Sequence, residues 1–193
     1  MGKVVCLPVC AVIFLSVLHA AFGQSSAGEP RFQLVVGPVV GLTYVIDAQG
    51  DLNERLQEMY PSSRTYYPFF TQFGLNLEQR LRLGSTKSHF AFQELFLVGG
   101  MDQGIFLPSF DFLLGFRSHR GLQFGLGPNF VLRWSETELE LAMSVVYAVG
   151  WNFSFFGAWV PVSLAVIPTP ADGKPRISII SGFNFETIRK KKE

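Results

Sequence analysis

The sequence predicts an all-β fold, an eight-stranded antiparallel up-and-down transmembrane β-barrel, and three observations carry that expectation. Hydrophobicity alternates with a period of two from Arg31 onward, over runs longer than the roughly five or six residues of an ordinary soluble strand. Apolar residues make up 48 % of the chain and aromatics 15 %, with 20 Phe and 19 Gly, while only 16 % of positions are charged, against roughly 25 % in a typical soluble domain. Beyond the first two dozen residues no run of about 18 apolar residues exists, so a membrane-spanning helix is excluded there and a bilayer can be crossed only by strands.

The clearest strand is Leu122 to Trp134. Leu122, Phe124, Leu126, Pro128, Phe130, Leu132 and Trp134 share one parity, and Gln123, Gly125, Gly127, Asn129, Val131 and Arg133 share the other. Residues 139–153 repeat the pattern, and the same template gives eight strands at about 32–46, 68–82, 89–98, 105–117, 122–134, 139–152, 155–167 and 176–185. Connections at 83–88, 118–121 and 153–154 are short, whereas 47–67 is long and 168–175 is rich in turn formers. Long and short connections alternate as an up-and-down barrel requires. One segment breaks the rule: in 89–98 the apolar parity starts on Phe90 and Phe92, meets Glu94, and resumes on Leu95 and Leu97. A β-bulge at Gln93-Glu94 would return both leucines to the apolar face; the alternative is a strand displaced by one residue.

Residues 1–23 have the form of a secretory signal, with Lys3 at the start, an apolar core over 11–18, and Ala21-Phe22-Gly23 as a small-x-small cleavage site. The expected plan is a signal peptide at 1–23, a short segment at 24–30, the barrel at 31–186 and a basic tail at 187–193. Cys6 and Cys10 both lie in the leader, which excludes disulfide, thiolate-metal and cysteine-nucleophile chemistry from the remainder. Without Lys3 the acidic and basic residues are equal in number, so a nucleic-acid partner is not expected.

An alternating barrel is either wet outside and greasy within, as in a soluble carrier, or the reverse. The polar parity here is mostly Gly, Ser, Ala, Asn and Gln, small residues suited to a narrow lumen and poor at solvating a surface. The apolar parity carries Phe69, Phe73, Phe106, Phe110, Phe112, Phe116, Phe124 and Phe130, more apolar area than water tolerates. Tyr44, Tyr66, Tyr67 and Trp134 near one set of connections, with Phe116 and Trp151 near the other, suggest two interfacial aromatic girdles. The lipid-facing reading is favoured, and a soluble carrier is the weakest alternative.

The last strand reads Arg176-Ile-Ser-Ile-Ile-Ser-Gly-Phe-Asn-Phe185. With this ending and this architecture the chain resembles the small eight-stranded outer-membrane proteins of diderm bacteria, the group of the OmpA transmembrane domain, OmpX and OmpW. The resemblance spans nearly all of the chain after the leader. It implies a monomer in outer-membrane lipid, inserted by a barrel-assembly machinery that reads Phe183 and Phe185. Residues 186–193 follow that Phe, a departure from the group's pattern. The group contains pores, adhesins, anchors and enzymes, so the resemblance does not select a function.

The candidate site is the lumen. Glu78 and Arg80 on strand two, Asp111 and Arg117 on strand four, and Arg133, Glu140 and Arg176 on strands five, six and eight belong to the polar parity. Inside a narrow barrel such charges are paired as a plug or line a small channel. Arg133 and Glu140 lie equally far from the 136–137 turn, which predicts a cross-strand ion pair. In 47–67, Asp51 and Glu54 have capping-box spacing, with Leu52, Leu56 and Met59 on one face. A short helix covering the mouth or meeting an extracellular partner is one reading, a mobile loop with one helical turn the other.

Catalysis has little support. His89 and His119, the histidines beyond the leader, fall at the short-connection end, unlike the outer-rim His and Ser of lipid A-deacylating barrels. No phosphate loop or metal-ligand spacing is present, so neither cofactor nor metal is expected. The basic tail is read as a solvated end, or as a contact for anionic lipid or cell-wall polymer. The expected role is surface interaction or structure in the cell outer membrane, without enzymatic activity; the alternative is a narrow conduit for small apolar solutes.

Overall fold

Strict alternation leaves each strand with one apolar and one small or polar face, and closing the sheet on itself buries the second without leaving an edge. The computed structural model describes residues 32–47, 50–62, 64–83, 87–134, 139–155, 158–168 and 174–186, excepting the side chains of 32, 133, 134, 139, 140, 155, 158 and 186. The signal peptide, the 24–30 segment and the 187–193 tail lie outside the described residues.

The strands are β1 (Phe32–Val45), β2 (Phe69–Arg82), β3 (His89–Gly99), β4 (Leu107–Arg117), β5 (Leu122–Trp134), β6 (Leu139–Phe155), β7 (Ala158–Ile167), β8 (Arg176–Gly182) and a two-residue β9 (Phe185–Glu186). Each of β2 to β8 pairs antiparallel with its sequence neighbour, β8 pairs with β1, and β1 also pairs with β2, so the sheet closes. It is an eight-stranded antiparallel up-and-down barrel, as the periodicity predicts. The observed strands shift the expected bounds slightly: β6 runs on to Phe155 and β7 starts at Ala158.

β9 keeps the β8 register against β1, since Val39 faces Gly182 and Val36 faces Phe185. The ladder between them lapses opposite Pro38, which has no N–H to donate. The Pro38 carbonyl still accepts from Phe183 N–H at 3.1 Å. β8 and β9 are one closing strand interrupted by a proline on its neighbour.

Small residues set how closely the strands approach. A Cβ added at Gly74 would lie 1.8 Å from the Phe96 carbonyl oxygen, so only glycine permits this β2–β3 contact. Gly121 holds φ +101° in the 118–121 turn, a conformation that disfavours side chains.

The predicted bulge at Gln93-Glu94 is absent. β3 pairs one-to-one with β2 from His89 to Gly99 and with β4 over the same span. Leu95 and Leu97 point inward, 5 % and 3 % exposed, and join Val39, Leu113, Val146, Ala165, Ile167 and Ile180 in an apolar layer across the lumen. Glu94 therefore keeps the outward parity of Phe92 and Phe96, directly opposite Leu77 and Phe112, and is itself only 5 % exposed. The expectation failed because it assigned every apolar residue to the outside, whereas a narrow barrel fills its own centre.

The outer face carries exposed Phe69, Phe73, Phe106, Phe116 and Phe124. Phe110 lies between Phe96, whose ring is tilted against it at 4.8 Å, and Phe130, which stacks on it at 6.3 Å. Tyr44, Tyr67, Phe116 and Trp151 are exposed near the barrel ends, as girdles require. Tyr66 is a correction: it is buried, and its hydroxyl donates to the Tyr60 carbonyl at 2.7 Å. The Trp134 side chain lies outside the described residues.

Candidate functional site: a filled lumen beneath a helix

The lower lumen, at the short-connection end, is closed by a polar network. Glu78, 1 % exposed, accepts from Arg117 Nη2 at 2.7 Å and Nε at 3.1 Å through one oxygen, and from Arg80 Nε through the other. Arg117 Nη2 also donates to Gln93 at 2.6 Å, Gln93 Nε2 to Asn76 Oδ1 at 2.8 Å, and Asn76 Nδ2 to Asn184 Oδ1 at 3.1 Å. This chain of bonds crosses from β4 through β3 and β2 to the residue between β8 and β9. Arg117 Nη1 further donates to the Phe124 carbonyl at 2.8 Å, and Gln123 Nε2 to Ser163 Oγ at 3.0 Å. The guanidiniums and carboxylate, costly to desolvate singly, thus meet as a charge-assisted cluster.

Above the apolar layer Asp111 and Asn129, opposite each other on β4 and β5, form a second polar site, with Asn129 Nδ2 donating to Asp111 Oδ1. Arg176 lines the same space, and Thr43 and Ser178 share a 2.7 Å hydroxyl contact. The predicted lumen charges therefore sort into two groups: Glu78, Arg80 and Arg117 below, Asp111 and Arg176 above. Arg133 and Glu140 stand directly opposite in the β5–β6 register, with side chains outside the described residues. Phe183 and Phe185 are exposed on the outer face.

The long first connection forms the helix α1 (Leu52–Met59). Its apolar side buries Leu52 and Leu56 in a cluster with Val45, Tyr66, Phe70 and Ile105. The capping box does not form. Asp51 makes no cap bond; the Asp47 carboxylate takes Leu52 N–H at 3.1 Å instead, while Asp51 engages Arg55 and Lys174. Lys174 reaches across from the β7–β8 connection to both aspartates. These ion-pair bonds lower both carboxyl pKa values below their ordinary range and raise that of the Lys174 ammonium. Asn53 accepts from Tyr66 N–H at 2.7 Å, and Gln57 donates to the Arg64 carbonyl at 3.1 Å, so the loop is tied along its length. A 3₁₀ turn (Met101–Gln103) adds Asp102 to Thr71 at 2.7 Å.

Sequence reasoning missed Asn76, Gln93, Asn184 and the Lys174 latch. The first three lie on the polar parity and were visible as polar residues among small ones; Lys174 gave no local signal, because its partners are 123 and 127 residues away. Among the described residues no group of three His, Asp or Glu is placed to hold a metal, and no helix is long and apolar enough to cross a membrane.

The fold is a closed eight-stranded antiparallel up-and-down barrel. Among solved structures, the chain is similar to Ail, the attachment invasion locus protein of Yersinia pestis, at 12 % identity and TM-score 0.48, over 82 % of this chain and 100 % of that one. A second structure of Ail, in complex with the heparin analogue sucrose octasulfate, aligns at 12 % identity and TM-score 0.43, over 80 % and 97 %. The N-terminal β-barrel domain of Pseudomonas aeruginosa OprF aligns at 13 % identity and TM-score 0.37, over 78 % and 97 %. No protein-family model matches the chain, and no curated protein matches it.

Proposed function

We propose that the chain is an integral protein of the cell outer membrane whose barrel is a closed, non-enzymatic scaffold for a surface interaction or structural role at its long-connection end. The lumen, blocked at more than one level, carries this reading. The Glu78 network below, the apolar layer at mid-height and α1 above occupy the space a conduit needs, while the latched helix presents Glu54, Arg55 and Glu58 to an extracellular partner. The outward phenylalanines call for outer-membrane lipid, and exposed Phe183 and Phe185 suit reading by the barrel-assembly machinery.

Planar-bilayer recording of the refolded full chain tests the closed lumen: no steady conductance is expected, and stable single-channel currents would favour the conduit. Cell fractionation tests the location. Heat-modifiable migration from the outer-membrane fraction is expected, and recovery in the soluble periplasm would end the membrane reading.

A further inference from the structure

A cavity of about 420 Å³ lies between α1 and the apolar layer of the lumen, within the size range of small-molecule sites. Leu56 and Met59 of α1 contribute apolar lining, as do Leu97, Val131, Val146 and Ile180 of the barrel. Polar groups converge on it from the wall. Asn129 is 4 % exposed and spends its Nδ2 on Asp111, so its Oδ1 is left buried with no hydrogen-bond partner among the described residues. The Oε1 of Gln72, on β2, is likewise buried and unpartnered and also lines the cavity. A buried carbonyl oxygen without a donor is unfavourable, and native interiors normally supply one.

We propose that this cavity is a binding site for a small uncharged amphiphile that carries hydroxyl or amide N–H donors at one end and an apolar body. Both unsatisfied atoms are acceptors, so the ligand must donate. The charged groups along the lining, Arg55, Lys174 and Arg176 against Glu58 and Asp111, are of mixed sign and give little reason to select an ion. The aliphatic walls accept the apolar end. The site lies between α1 and the apolar layer, with the Glu78 network at the other end of the lumen, an arrangement suited to holding a ligand rather than passing it on. It thereby deepens the closed-scaffold reading and rests on it.

The test uses the full chain in lipid nanodiscs and 1,2-hexanediol as probe, with its dimethyl ether, which has the same carbon chain and no donors, as comparison. The side-chain amide resonances of Asn129 and Gln72 are expected to shift saturably with the diol and not with the ether. Gln72→Met and Asn129→Leu should each weaken the response about tenfold, Gln72→Met serving where Asn129→Leu disturbs Asp111. Equal responses to diol and ether, or a diol response unchanged in Gln72→Met, would overturn the proposal and leave the cavity as solvent space. Conductance is scored separately: binding alongside steady current retains the site and sinks the closed scaffold, whereas no binding and no current does the reverse.

Discussion

Glu78 neutralises part of the charge of two guanidiniums inside the barrel, and almost none of it reaches water. Removing one member of such a cluster leaves buried charge without its counter-charge, a loss on the order of 3–5 kcal/mol. Glu78→Gln is therefore expected to lower the urea midpoint of the barrel refolded in vesicles, and adding Arg117→Gln should recover part of the loss. An unchanged midpoint would mean that water, not Glu78, balances the arginines. Glu94 presents a different case, a carboxyl that shares the outward parity of Phe92 and Phe96 but is packed to 5 % exposure. Glu94→Leu should stabilise the barrel, by up to about 2 kcal/mol. A fall in the midpoint would reveal a partner that the carboxyl serves.

At the scale of elements, α1 stays docked by burying Leu52 and Leu56 and by the Lys174 latch. The pH dependence follows from the shifts. Asp47 and Asp51 titrate below their ordinary 3.8, so their contribution is complete above that value and is lost as pH falls through the lowered one. Lys174 titrates above its ordinary 10.5, so its contribution is complete below that value and is lost as pH rises through the raised one. A spin label at Glu54 should report an immobile helix across the window between, and rising mobility in stronger acid or base. Lys174→Met should give the mobile spectrum at neutral pH. A second element-scale prediction concerns the β5–β6 hairpin, whose register sets Arg133 opposite Glu140. A double-mutant cycle to Gln should give coupling above the roughly 0–1 kcal/mol of an open-surface pair; coupling indistinguishable from zero would assign the mouth to hydrated side chains.

At the scale of the whole molecule, closure depends on backbones meeting where side chains would prevent it. Gly74→Val places atoms where the Phe96 carbonyl stands, so β2 and β3 cannot pair in this register. The variant should lose the compact, heat-modifiable band on unboiled gels, and retention of that band would show a barrel that tolerates a locally parted sheet.

Strand number, strand bounds to within a few residues and the outward phenylalanine face were legible in the sequence, and the helix at 52–59 was one of two readings the sequence left open for the first connection. They follow from period-two and helical patterning, which local sterics impose on consecutive residues. Which inward charges meet was decided by tertiary structure alone. Glu78 finds Arg117 through the β2–β3–β4 register, and Asn76 finds Asn184 because the closing strand returns beside β1 and β1 beside β2. Hydropathy likewise gave Leu95 and Leu97 no mark distinguishing lumen from lipid, since a barrel this narrow offers apolar surroundings on both sides of its wall. The side is set by an unbroken ladder on both edges of β3, and a ladder is a property of paired strands rather than of either strand's sequence.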